Sequence, residues 1–257
     1  MIRFQLAVAN KILVQVGVKV RPEYSRSVEE NFQTSLMRTD FGEPTVAVGL
    51  INAWVEEQTH GTIKNLLGPN MLDRNTKLML VNTIYFKAEW RHQFASKMTE
   101  KSDFFAESGK RRKVQMMRHA KNPLLQICDL PKLKSRMLRL PYAGGNVVMD
   151  ILLPNTCGGL AVVDEKLSTV DLQSTFKDFS KIKVVQVVMP KFKLEESIPM
   201  NQILKGMGMT DMFDVQKADF SGISDEQLWV SSVVQKAFVS VTEKGTEAGA
   251  ATAVLLM

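Results

Sequence analysis

Apolar residues recur along the chain at two different spacings, and together these predict a mixture of helices and strands. Spacings of three and four residues predict helices over residues 22–36, where a proline stands near the first turn, and over 46–67. The same pattern predicts a helix over 167–179 and a short helix over 200–207 that ends at Gly208.

Strands are predicted where apolar residues alternate or form short continuous runs. Residues 77–86 form an almost continuous apolar run rich in β-branched side chains, which is typical of a strand buried on both faces. Further strands are predicted over 114–117, 136–140, 147–153, 183–189 and 228–242, and residues 6–16 resemble a helix end that runs into a strand. Because helices and strands alternate irregularly, without an internal repeat or a low-complexity linker, we expect one α+β domain with more than one sheet.

The composition is that of an ordinary globular protein and excludes several special classes. The chain has 257 residues, of which 45% are hydrophobic and 23% charged. No uninterrupted apolar stretch is long enough to predict a membrane-spanning helix. The two cysteines, Cys128 and Cys157, lie in no metal-binding motif. Two free buried thiols are favoured over a single disulfide bridge.

Hydrolase chemistry finds little support in the sequence. The chain has three histidines, His60, His92 and His119, and no Gly-x-Ser-x-Gly elbow or cysteine-protease signature surrounds a nucleophile. Glycine-rich phosphate-binding loops are also absent from the sequence. We therefore expect surface positions for the three histidines, no cofactor and no catalytic residue.

The net charge of +6 permits an acidic partner without requiring one. The densest basic run is Lys110, Arg111, Arg112 and Lys113. A solvated turn between two strands is the simpler interpretation of this run. Weak binding of a polyanion such as heparin or nucleic acid is the alternative.

Residues 243–254 are unusually rich in small side chains and contain no proline. A flexible tail would have a similar composition. The absence of proline also leaves every backbone N–H free to join a sheet. The segment could therefore be mobile and still able to become a strand.

The chain resembles the serpin family, and the resemblance extends over essentially its whole length. The matching blocks are residues 51–64, 76–87 with Trp90, 139–142 with 149–154, 189–192, and 243–252. Several blocks in the family's order make a stronger match than one short motif. The resemblance implies a serpin fold of three β-sheets with surrounding helices and an exposed reactive-centre loop. It also implies an inhibitor of serine proteases rather than an enzyme.

The resemblance assigns roles to particular residues of this chain. The reactive-loop hinge comprises Glu243, Gly245, Thr246, Glu247, Ala248, Gly249, Ala250, Ala251 and Thr252. Trp90 corresponds to the breach tryptophan, at the end of the central sheet where the loop enters. Asn82 and Gln235 correspond to the shutter, the pair that helps control sheet opening. Gln235 stands where the family has a histidine, so a different pH response is expected.

The implied mechanism is suicide trapping, in which the cleaved loop enters the central sheet as an additional strand. Because strand side chains alternate, Thr246, Ala248, Ala250 and Thr252 are expected to face the core side together. All four are small enough to enter between two existing strands. Gly245 is expected to give the backbone freedom to turn at the start of the hinge.

Family members carry helices before the position of Met1 and strands after that of Met257, so we expect residues 1–257 to be a single partial serpin domain, truncated at both ends. The cleaved bond is expected just beyond Met257, so this chain lacks the scissile bond and the target serine protease cannot be deduced. Secretion is favoured, and an intracellular location is the alternative. A non-inhibitory carrier or chaperone serpin is the first functional alternative, and a hydrolase is a more remote one.

Overall fold

The computed structural model describes residues 4–32, 34–61, 63–69, 71–72, 74–171, 174, 179 and 181–248. The chain divides into two compact units. The first comprises Met1–Gln5, Lys87–Lys193 and Ser240–Glu247, and the second comprises Leu6–Phe86, Leu194–Val239 and Ala248–Met257. Each unit contains its own cluster of buried apolar side chains.

Thirteen strands and four helices are described, together with three short 3-10 turns. The strands are β1 (Phe4–Gln15), β2 (Leu36–Thr39), β3 (Leu78–Glu89), β4 (Glu100–Phe105), β5 (Arg111–Arg118), β6 (Leu124–Leu130), β7 (Ser135–Pro141), β8 (Val148–Pro154), β9 (Lys181–Val184), β10 (Val188–Pro190), β11 (Phe192–Pro199), β12 (Val230–Val241) and β13 (Gly245–Ala248). The helices are α1 (Pro22–Phe32), α2 (Pro44–Gln58), α3 (Leu160–Leu167) and α4 (Asn201–Gly206).

The second unit is built on a sheet in which hydrogen bonds join the strands in the order β11, β12, β3, β1 and β2. Strands β3 and β12 run parallel, and their register places Gln235 opposite Asn82. Alternate residues of β12, among them Val230, Val234 and Phe238, are buried. This period of two is the alternation from which the strand is predicted.

Helix α2 packs one face into the core of the second unit. Ala47, Ile51 and Val55 recur at intervals of four residues and are buried. The helix ends at Gln58, earlier than predicted. Buried Thr59 terminates it, since its hydroxyl donates to the Val55 carbonyl at 2.7 Å and accepts the Ile63 N–H at 3.0 Å. The apolar residues after the helix are therefore buried by an irregular segment.

Lys236 is a buried cation within the otherwise apolar face of β12. Its ammonium donates to the carbonyls of Lys64 and Asn65 at 3.1 and 3.2 Å and pairs with Glu195 at 2.9 Å. These contacts satisfy the charge that burial would otherwise disfavour. They also attach the segment after α2 to the sheet.

The first unit contains two smaller antiparallel sheets, with strand orders β10-β5-β4 and β8-β7-β6-β9. A hairpin turn joins β7 and β8, with Gly144 and Gly145 at φ values of 104° and 83°. Helix α3 was not predicted. Of the helix predicted over 167–179, residues 168–171 are not helical, and residues 172, 173 and 175–178 lie outside the described residues. Residues 6–16 were predicted to be a helix end that runs into a strand. The helix end is wrong, because β1 is a strand throughout.

The prediction of an α+β fold with three sheets is confirmed. In the described part of the chain, no helix is both long and apolar enough to span a membrane. Both cysteines are free, as expected, although Cys157 is exposed rather than buried. The chain, once it leaves β12, turns at once into β13, and the candidate site lies at this turn.

Candidate functional site

The hinge begins with a tight turn that brings it back alongside β12. The Thr242 N–H donates to the Gly245 carbonyl at 2.9 Å, and β13 pairs antiparallel with β12, with Thr246 opposite Val241. The first hinge residues are therefore already a strand, whereas the sequence predicted that the loop would be exposed from its start. The structure describes the backbone of Glu247 and Ala248. The predicted hinge residues Gly249, Ala250, Ala251 and Thr252 lie outside the described residues.

Gly245 is required here by a close approach of two backbones. A Cβ atom at this position would overlap the carbonyl oxygen of Ala88 and lie 2.8 Å from the Cα of Glu89. No side chain fits in that space without moving the end of β3. Conformational freedom was the predicted reason for this glycine, and the structure adds packing against β3 as a second reason.

Trp90 holds the turn through its ring and its nitrogen atoms. The indole stacks on Tyr142 with ring centroids 4.4 Å apart and an interplanar angle of 10°. Its Nε1 donates to the Thr242 carbonyl at 2.9 Å, and its backbone N–H donates to the Lys244 carbonyl at 2.9 Å. The predicted breach tryptophan is thus in direct contact with the hinge turn.

Tyr142 forms the link between this aromatic pair and the hinge strand. Its hydroxyl donates to Thr246 Oγ1 at 2.6 Å, and the Thr246 residue is only 2% exposed. Burial raises the pKa of Tyr142 to about 12, so the hydroxyl stays protonated and able to donate. Sequence reasoning placed Tyr142 in a family block but gave it no role.

Glu243 anchors the other side of the turn. Its carboxylate accepts a hydrogen bond from the Thr99 hydroxyl at 2.9 Å and pairs with the Lys191 ammonium at 3.0 Å. Burial raises the pKa of Glu243, but hydrogen bonds from its own backbone, Lys191 and Thr99 outweigh burial, and the net pKa is lowered. Sequence reasoning did not identify these two partners, because both are distant from Glu243 along the chain.

The predicted shutter pair is joined, and a third amide extends it. In the second unit, Gln235 Nε2 donates to Asn82 Oδ1 at 3.3 Å. Asn82 Nδ2 in turn donates to Asn10 Oδ1 at 2.8 Å. This chain of amides crosses β12, β3 and β1. Asn10 was missed by the sequence analysis, and its signal was a polar residue within an apolar strand.

The basic run lies at a hairpin turn, where the simpler interpretation placed it. Lys110 closes the turn between β4 and β5 by accepting the Ala106 N–H at 3.0 Å, and the next three basic residues begin β5. All four are exposed, and Lys113 pairs with Asp103 at 3.1 Å.

The three histidines do not form a catalytic group with a nucleophile. His60 and His92 are exposed, as expected, but the expectation of a surface position is wrong for His119, which is 7% exposed. Within the residues that the structure describes, no cluster of three or more His, Cys, Asp or Glu side chains could hold a metal ion.

The amide chain gives a testable order of stabilities. Asn82→Ala removes both hydrogen bonds, whereas Gln235→Ala removes only the longer one. We expect the free energy of unfolding to fall by about 1–3 kcal/mol for Asn82→Ala and by about 0.5–1.5 kcal/mol for Gln235→Ala. Urea unfolding of the full chain measures both values, and equal losses would contradict the arrangement.

The Glu243 anchor predicts a specific acid transition. Because its pKa is lowered in the folded chain, the anchor contributes stability that is complete above the unfolded-state pKa and is lost as pH falls through the folded-state pKa. We expect Glu243→Gln to be less stable at neutral pH and to lose less stability on acidification below about pH 4.5. Unfolding by urea at several pH values measures this. Glu165→Gln, an exposed carboxylate on α3, should leave the acid transition unchanged.

Comparison with known proteins agrees with the fold. The family model described as Serpin (serine protease inhibitor) matches residues 3–257. Human Serpin B4 is 37% identical over 257 residues, which cover 99% of this chain and 65% of that protein. Bovine leukocyte elastase inhibitor is 38% identical over 97% of this chain and 67% of its own length.

A solved structure gives the same result. Serpin48 of the insect Tenebrio molitor superposes with a TM-score of 0.85 at 34% identity, covering 99% of this chain and 68% of that one. The chain therefore spans about two thirds of the length of these relatives. Since the family model covers nearly the whole chain and the sheets have the expected arrangement, the chain belongs to the serpin family, which that model describes as serine protease inhibitors.

Proposed function

We propose that this chain is part of an inhibitor of serine proteases that acts by suicide trapping. The observation that supports the proposal is that the first residues of the hinge already form a strand. Thr246 and Glu247 already pair with β12, and Gly245 packs against the end of β3. Further insertion of the loop would extend a strand that has begun, rather than start a new one.

The composition of the remaining hinge residues supports the same proposal. Ala248, Ala250 and Thr252 are small, so a strand carrying them on its core face would not overpack the sheet. A strand of twelve residues spans about 40 Å, and each added backbone hydrogen bond contributes about 1 kcal/mol. Insertion of that size is comparable in free energy with the stability of a whole domain.

The alternatives differ at the hinge. A carrier or chaperone serpin has no need of a segment that enters a sheet, so bulky residues or proline would be tolerated there. The alanine-rich hinge of this chain favours inhibition. The target protease stays unassigned. Secretion likewise stays a prediction.

The inhibitory mechanism predicts a difference between two neighbouring hinge positions. In a complete protein carrying this hinge, Ala250→Arg places a long cation on the core face of the inserting strand, where burial costs several kcal/mol. Ala251→Arg places the same cation on the opposite face. Trapping is a race between insertion and hydrolysis of the acyl-enzyme, and about 1.4 kcal/mol on the insertion barrier shifts the outcome tenfold.

We therefore expect Ala250→Arg to be cleaved as a substrate with release of active protease, while Ala251→Arg keeps the SDS-stable complex. The stoichiometry of inhibition and gel analysis measure this. Thr246→Arg should act in the same direction, but Thr246 is already buried, so that variant also perturbs the starting state. Tight, near one-to-one inhibition by Ala250→Arg would show that hinge insertion is not the mechanism.

We also propose weak polyanion binding by the basic hairpin. Lys110, Arg111 and Arg112 are exposed at the turn and at the start of β5, while the neighbouring Lys113 pairs with Asp103. Cationic side chains concentrated on one projecting turn create a positive potential that attracts sulfate or phosphate groups. Such binding weakens as salt rises.

Removal of two of these charges tests the polyanion proposal. We expect Arg111→Ser/Arg112→Ser to elute from immobilised heparin at lower salt than the unmodified chain. Lys132→Ser/Arg136→Ser removes the same net charge from exposed positions elsewhere and should elute with the unmodified chain. Equal losses in both variants would indicate nonspecific attraction by net charge alone.

A further inference from the structure

A series of four contacting aromatic rings connects a buried histidine to the hinge strand. His119 stacks on Phe94, with ring centroids 4.0 Å apart and an interplanar angle of 22°. Phe94 meets Trp90 edge-on at 6.3 Å, and Trp90 stacks on Tyr142, which donates to Thr246. The Phe94 N–H also donates to the Glu243 carbonyl at 2.9 Å. Displacement of Phe94 would therefore disturb contacts on both sides of the hinge turn.

His119 is held at only one of its ring nitrogens. Nε2 lies 3.0 Å from the His92 carbonyl, which fixes the neutral tautomer with the proton on Nε2. Nδ1 is buried and has no hydrogen-bond partner among the described residues. A void of about 10 Å³ nearby is lined, besides the two histidines, by Trp90, Phe94, Leu125, Leu140 and Pro141, so its walls are mainly apolar.

We propose that His119 is an acid-sensitive support of the hinge: protonation at Nδ1 drives the ring away from Phe94, loosens the Phe94, Trp90 and Tyr142 stack, and releases Thr246 and the rest of β13. The proton comes from solvent, and no covalent bond forms or breaks. The inference rests on the proposed role of residues 243–248 as the hinge that inserts, and it adds regulation by pH to that role.

The surroundings of the ring set the direction of this effect. Burial lowers the pKa of His119, the hydrogen bond with the His92 carbonyl raises it, and the nearby His92 side chain lowers it further, with a net lowering. Stability from neutral His119 is then complete above the unfolded-state pKa, near 6.5, and is lost as pH falls from there to the folded-state pKa. Attraction between a protonated ring and the face of Phe94 acts the other way but provides no acceptor for Nδ1.

The described residues that line the void include one titratable side chain besides that of His119, namely His92. Arg118, the last residue of β5, precedes His119 in the chain, and its guanidinium pairs with Glu100 at 3.2 Å. The residues of β6 and β7 that line the void are Leu125, Leu140 and Pro141. The void-lining residues include no carboxylate that could accept a hydrogen bond from a protonated Nδ1. The pKa of Glu243 is lowered from a carboxyl value that is already more acidic than that of histidine, so the acid transition of the Glu243 anchor begins at lower pH than that of His119.

Hydrogen–deuterium exchange of the hinge measures the proposed release. In the full chain, we expect protection of residues 240–248, corrected for intrinsic exchange, to fall about tenfold between pH 7.5 and pH 5.5. His119→Phe preserves a flat ring against Phe94 but cannot be protonated, so protection should be the same at both pH values. His60→Asn, at an exposed histidine in the second unit, should retain the loss of protection.

Equal protection of the unmodified chain at both pH values would overturn the proposal, as would a loss of protection in His119→Phe at pH 5.5. If His119→Phe does not fold, NMR titration of the unmodified chain decides. The His119 ring protons and the Trp90 indole N–H must then shift together as pH falls below the ordinary histidine pKa of about 6.5, and independent shifts would overturn the proposal. Neither measurement depends on protease inhibition, so failure of the inhibitory mechanism in the Ala250→Arg experiment is a separate result.

Discussion

The close approach between Gly245 and the backbone at the end of β3 is the constraint on which the hinge depends. A side chain at this position would overlap the Ala88 carbonyl, so the turn after β12 can be made only by glycine. The returning strand is thereby directed against β12, where Thr246 lies opposite Val241. Every other contact of the hinge, aromatic or charged, acts on a strand whose direction this contact has already determined.

Two groups of contacts then hold the turn, and they differ in chemistry. Glu243 is fixed by a charge pair with Lys191 and a hydroxyl from Thr99, whereas Thr246 is fixed by a neutral hydroxyl from Tyr142. A charge-assisted contact of this kind is strong but sensitive to acid. The Tyr142 hydroxyl stays protonated across the physiological range. The hinge is thus held by one contact that responds directly to pH and one that responds only through its aromatic support.

Much of the fold could be predicted from the sequence, because long strands have clear periodic patterns. Strands β3 and β12 and the small residues of the hinge are visible in the apolar pattern alone. The buried position of His119 could not be predicted, because it depends on Phe94, which is remote in sequence and adjacent in space. Asn10 and Lys191 could not be identified for the same reason, because their partners Asn82 and Glu243 are distant from them in sequence. Local pattern identifies elements, and contacts distant in sequence determine the site.

The position of the titratable groups gives the molecule a particular response to acid. In the predicted shutter, the amide chain of Gln235, Asn82 and Asn10 carries no group that titrates near neutral pH. In the unit that contains the hinge turn, His119 and Glu243 both titrate below neutral pH. Sensitivity to mild acid is therefore absent from the contacts that join β12 and β3 at the shutter and present in those that hold the hinge turn. Acidification of this chain would therefore weaken the contacts that hold the hinge turn, while the amide contacts between β12 and β3 stay intact.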